Sequence, residues 1–140
     1  LSDDPFRKFI EAQDPVFDRV LAELKAGKKR THWMWYVFPQ IAGLGASAMA
    51  QRYALGGLDE ARGYIAHPVL GGRLRETTAA ALGHAVTGLT AHALFGSPDD
   101  LKFHSSMTLF HLAAPPEKLF KDALDAWFDG RLDSGTTARI

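Results

Sequence analysis

Phe6, Phe9, Ile10, Gln13, Phe17, Val20, Leu21 and Leu24 recur at i, i+3, i+4 and i+7 spacing. That period lays one apolar stripe along a helix. Asp14-Pro15 interrupts the stripe chemically without shifting its phase. The pattern therefore predicts two short helices or one kinked helix, with Asp14 as a cap, Pro15 in the first turn of the second part, and Gly27 as the end. Leu58 to Ala66 reads as helix, and His67-Pro68 opens a longer one to about Leu82, carrying Val69, Leu70, Leu74 and Leu82. Thr90 to Phe95 predicts a further short helix, stopped at Gly96. Ser97-Pro98-Asp99-Asp100 combines a cap, a first-turn proline and two acids facing the positive helix end. The helix it opens runs to Ala114, and Pro115-Pro116-Glu117 opens the last, with Leu119, Phe120, Ala123, Leu124, Trp127 and Phe128 inward and Gly130 at its end.

The run Trp33-Met34-Trp35-Tyr36-Val37-Phe38 is apolar throughout, which fits a buried strand or a short buried helix equally well. Pro39 ends it. Gly43 and Gly45 then predict a loop, Ser47 a cap for a helix through about Tyr53, and Gly56-Gly57 another break. Nowhere do two alternating strands flank a hairpin turn. The expected fold is all-α: a single compact domain over residues 1–140, of about six to eight short helices, with an irregular or short helical aromatic segment around 32–40.

Composition narrows the function classes. The 140 residues are 46% hydrophobic and 23% charged, ordinary for a globular domain. Sixteen Lys and Arg balance sixteen Asp and Glu, so no global field attracts nucleic acid or an anionic membrane. No apolar run approaches a membrane span. There is no cysteine, which removes disulfides, thiol nucleophiles and cysteine metal sites, and fits a reducing cytoplasm. A cytoplasmic monomer is expected, with no cofactor, no nucleic acid and no membrane partner.

Among chemical motifs, the six histidines contain no pair at i, i+3 or i, i+4, so no helical metal bite forms. Gly43-Leu44-Gly45 before a capped helix suits a generic anion-binding turn, yet Ala48 stands where a dinucleotide fingerprint needs its third glycine. Lys102 shares a helix face with Ser105 and Ser106, an amine-and-hydroxyl grouping used in phosphate binding. The segment Lys28 to Gln40 is the least ordinary. Three basic residues run into Thr31-His32, then Trp33, Trp35, Tyr36 and Phe38, then Gln40. Cations beside aromatic rings suit a ligand with a flat ring and an anionic group. In this reading Trp33 and Trp35 wall the site, Gln40 offers a polar group at its edge, and His32 is the candidate acid or base.

Three stretches resemble a bacterial domain-of-unknown-function family, number 1810: FIEAQDPVFDRVLAELKAGKKRTHWMWYVFPQIAGLGAS, then RYAL with LDEARGYIAHPVLGGRL, then FGSPDDLKFHSSMTLF. The resemblance implies a mainly helical single domain and no established activity. A weaker similarity, carried by Pro68, Gly71 and Arg73 behind the aromatic segment, is to helical glycosidases of ADP-ribose-linked metabolism. Those enzymes have Glu-His where this chain has Thr31-His32.

Two functional expectations follow. One is a site for a small anionic ligand, nucleotide- or sugar-phosphate-like, with hydrolysis of an N-glycosidic or phosphoester bond as the reaction if the site is catalytic. The other is a non-enzymatic interaction module presenting aromatics to a partner protein. The first requires the indole-rich stretch and the Lys102-Ser105-Ser106 stretch to meet.

Overall fold

The computed structural model describes residues 4–140, and among these the fold is all-α with one isolated backbone bridge, Ile41 to Leu55. Ten α-helices form it: α1 Arg7–Gln13, α2 Phe17–Ala26, α3 Met34–Val37, α4 Ala48–Arg52, α5 Leu58–Ala66, α6 Leu70–Leu82, α7 Ala91–Phe95, α8 Asp99–Ala113, α9 Lys118–Phe128 and α10 Ser134–Thr137. The count exceeds six to eight because α3 and α10 are four-residue single turns, too short to show a period.

The longest helix, α8, is the centre of the domain. Phe103, Met107 and Phe110 share one face of it, Thr108 and Leu109 lie on two others, and all are buried. A helix apolar on every side has to be enclosed. α5, α7, α9 and α10 supply the enclosure. Outside them α6 packs on α2, α5 and α9, and α1 lies against α3. Tyr64 of α5 meets Phe6 and Phe9 edge-on, which seats the start of the chain on the same core.

Several helix ends follow the residues that predict them. Gly27 adopts the left-handed conformation, φ +78°, that closes α2. Ser47 accepts from the Ala50 N–H as expected, and Thr90, read from sequence as the first residue of α7, caps it through the Ala93 N–H. Two expected caps are corrected. Asp14 does not cap α2; its carboxylate takes the Arg73 guanidinium at 2.7 Å, and Val16 occupies the cap position. Ser97 does not cap α8, whose cap position falls on Pro98 with no side-chain bond. His67 supplies an unexpected cap: its Nδ1 accepts the Val69 and Leu70 amides at the start of α6, while Nε2 lies 2.7 Å from Asp4 Oδ2.

The aromatic segment resolves as a single helical turn, α3, between the irregular stretches 28–33 and 38–47. Phe38 meets Phe95 and Phe103 edge-on, so this turn is bolted to α7 and α8 through rings.

Candidate functional site

The site begins with one carboxylate. Glu23 lies on the inward side of α2, between Val20 and Leu24, and is itself buried. After Gly27 reverses the chain, residues 28–33 fold back over it. Glu23 Oε1 accepts the Arg30 N–H at 2.8 Å, the Thr31 N–H at 3.1 Å and the Trp33 indole N–H at 2.9 Å. Oε2 accepts the Thr31 hydroxyl at 2.7 Å. Desolvation alone would raise the pKa of this group. The Thr31, Arg30 and Trp33 donors outweigh it and hold the carboxyl at about 2, against an ordinary 4.5.

That fold-back sets two lysine–tryptophan pairs side by side. Lys29, whose side chain is only 5% exposed, donates to the Thr31 carbonyl at 2.6 Å and to Asp99 Oδ2 at 2.8 Å, and lies 5.0 Å from the Trp33 ring centroid. Trp33 is buried. Lys102, one turn along α8, lies 5.2 Å from the Trp35 ring centroid and 3.6 Å from Asp99 Oδ1. Its side chain is 26% exposed, and Trp35 is half-buried. The aromatic segment and the head of α8 therefore meet, with Asp99 shared between the two lysines.

The other expected site residues are distributed differently. His32 is exposed and Gln40 half-buried, and neither side chain makes a hydrogen bond among the described residues. Ser105 is buried and donates to the Leu101 carbonyl and to Asp133 Oδ2, at 3.2 and 2.8 Å. Ser106 is fully buried, with no partner for its hydroxyl among the described residues. Lys102 and Trp35 are brought together; Ser105 is committed to the segment after α9 instead.

Burial also pushes the Asp133 carboxyl up, but the Thr136 and Ser105 donors, with His104 nearby, leave it below its ordinary value. Arg73, which carried the weaker enzyme similarity, is engaged with Gln13 and Asp14 and lies over the Phe17 ring.

Glu23, Lys29 and Asp99 are the important residues that motif reasoning passed over. Glu23 carried a signal: an acid three residues after Val20 and one before Leu24 falls on a buried stripe and so demands partners. Asp99 was legible only as a helix-dipole acid. No group of three or more His, Asp or Glu among the described residues could hold a metal ion.

Two clefts among the described residues are lined by neither Lys102 nor Trp35. One, of about 600 Å³, opens at the start of α5 between Gly56, Arg62 and Arg139. The other, of about 320 Å³, is an apolar groove at the end of α6, beside Val86 and Ala126.

Compared with known proteins, residues 3–140 match the family model described as "Protein of unknown function (DUF1810)". The conserved hypothetical protein Rv1873 from Mycobacterium tuberculosis, a crystal structure at 1.38 Å, is similar at 45% identity with a TM-score of 0.91, over 95% of this chain and 94% of that one. No curated protein matches.

Proposed function

The chain belongs to the DUF1810 family of proteins of unknown function, and on that premise we propose that it binds a small anionic ligand carrying a flat ring, such as a nucleotide or a ring-bearing phosphorylated sugar. The contact lies on the rim formed by Trp35 and Lys102. One observation carries this reading: Lys102 is the partly exposed ammonium of the pair, held over an indole and opposed by a single carboxylate oxygen at 3.6 Å. It keeps donors free for a phosphate, while the outer face of Trp35 can stack a ring. His32 and Gln40 flank the indole in sequence with unused polar groups. Ser105 and Ser106 support α8 from within.

Hydrolysis is the weaker part of the picture. His32 has no carboxylate or carbonyl orienting its ring among the described residues, whereas a working acid–base histidine is normally held by such a partner. The reading is therefore a binding protein of the cytoplasm, acting without a cofactor.

A second reading, a surface for a partner protein, is favoured by the rim lying outside both clefts and next to Leu101, an exposed leucine. A thermal-shift panel of nucleoside phosphates, ADP-ribose and sugar phosphates separates the two. A probe present at about 100 times its Kd stabilises the fold by about 2.7 kcal/mol. The first reading expects such a shift, lost in Lys102→Ala and weakened in His32→Ala. A shift that survives both substitutions unchanged refutes the rim as the site, and a panel with no shift leaves the partner-protein reading.

A further inference from the structure

Residues 131–140 are attached to the domain in a way unlike any other segment. Of the side chains in this stretch only Thr136 is buried; Leu132 and Ile140 are 42% and 49% exposed. The segment thus contributes almost nothing to the apolar core. Its seat on α8 is polar. Asp133 Oδ2 accepts the Ser105 hydroxyl at 2.8 Å, and the Asp133 N–H donates to Thr108 Oγ1 at 3.0 Å. His104 Nε2 donates to the Arg131 carbonyl at 2.8 Å. The same Asp133 oxygen accepts the Thr136 amide and hydroxyl, so one carboxylate both caps α10 and ties it to α8.

Two further features complete the arrangement. Asp129 and Gly130, directly before the segment, both adopt left-handed backbone, φ +54° and +72°. They form a sharp reversal at the end of α9. Beyond α10, the Arg139 guanidinium lies over Gly43, where a Cβ would come within 2.9 Å of its Nε. Arg139 and Ile140 then form one side of the 600 Å³ cleft at the start of α5.

We propose that residues 131–140 are a strap that lifts from α8 as a unit about the Asp129–Gly130 reversal, and that its docking through Ser105 and Asp133 builds one wall of the cleft at the start of α5. A segment held by water-exchangeable polar contacts, with little apolar burial, opens at much lower free energy than the core. Ser105 and Thr108 are then the receptor for the strap. The Asp133 contact faces His104, Ser105 and Thr108 from α8, and Thr136 from the strap itself.

Native-state hydrogen exchange on the full chain tests this. In the unsubstituted protein, the Thr137, Ala138 and Arg139 amides, each bonded within the strap, are expected to exchange with one common rate that barely changes with low denaturant. The Phe103–Phe110 amides of α8 should exchange far more slowly. Ser105→Ala keeps the α10 cap and removes one of the three polar ties to α8, and should speed strap exchange about tenfold while leaving the α8 and α9 amides unchanged. Asp133→Ala should go further and also shift the Gly56 and Gly57 resonances beside the cleft. Strap amides that exchange only with the core, at the rate of global unfolding, overturn the proposal without any variant. So does a Ser105→Ala protein whose strap rate is unaltered.

Discussion

Two lysines of this domain each lie about 5 Å from a tryptophan ring and share one aspartate, yet they have different roles. Lys29 is enclosed, its donors spent on the Thr31 carbonyl and Asp99, and its indole partner Trp33 is pinned by Glu23. Lys102 stands one turn of α8 away, partly in solvent, with Trp35 half-covered beneath it. Identical residue chemistry is enclosed in one place and partly open to solvent in the other. Burial decides which. A charge removed from water must be fully matched or it destabilises the fold, so Lys29 has no capacity left for a visitor. Lys102 keeps part of its side chain in water, so the penalty on it is smaller, and its 3.6 Å pairing contributes less to stability.

The largest effect that would break this contrast lies at Glu23. Glu23→Ala leaves two amides, a hydroxyl and an indole N–H without an acceptor, and should cost about 4 kcal/mol in urea unfolding. A loss below about 1 kcal/mol would mean the knot around Lys29 is not what holds the fold-back of residues 28–33.

The same contact responds to acid. The Glu23 carboxyl is held at about 2 in the fold, below its ordinary 4.5. Its contribution is therefore complete above pH 4.5 and is lost as the pH falls toward 2. Stability measured by denaturant between pH 5 and 2 should decline more steeply in the parent than in Glu23→Gln, and equal slopes would contradict the assignment. The step is smaller than that of the alanine variant because a protonated carboxyl still accepts through one oxygen.

Lys29→Met and Lys102→Met sharpen the comparison. The first keeps the apolar stem but leaves Asp99 only its 3.6 Å contact with Lys102 and takes the Lys29 donor from the Thr31 carbonyl, an expected cost of about 2 kcal/mol. The second should lie within about 0.5 kcal/mol of the parent. Equal costs in the two variants would show that burial does not separate the pairs.

Much of the fold was legible because its longer helices carry their own punctuation. Gly27 and Ser47 act at the helix ends where their chemistry predicts them. The failures share a physical cause. Asp14 and Ser97 have the right chemistry for caps, but sequence cannot see Arg73 arriving from sixty residues away, nor α8 starting directly from Pro98. α10 buries a threonine rather than an apolar stripe, so periodicity had nothing to detect. At the site, the meeting of the aromatic segment with Lys102 followed from unusual composition in both stretches. Which of the two indoles stays accessible did not, because the exposure of Trp35 and the enclosure of Trp33 depend on a one-turn helix whose phase an all-apolar run conceals. Ser105 and Ser106 had the same difficulty: α8 is enclosed on every side, so polar residues along it need not face water.

The most direct test of the central contrast uses the indole N–H resonances, which report each tryptophan separately. Titrating the protein with ADP-ribose, nucleoside monophosphates and sugar phosphates should move the Trp35 signal in a saturable way with at least one probe. Trp33, with its N–H on Glu23, should stay fixed, and the Trp35 response should vanish in Lys102→Met. A saturable response confined to residues 56–60 at the cleft beside α5, with Trp35 unmoved, would contradict the account.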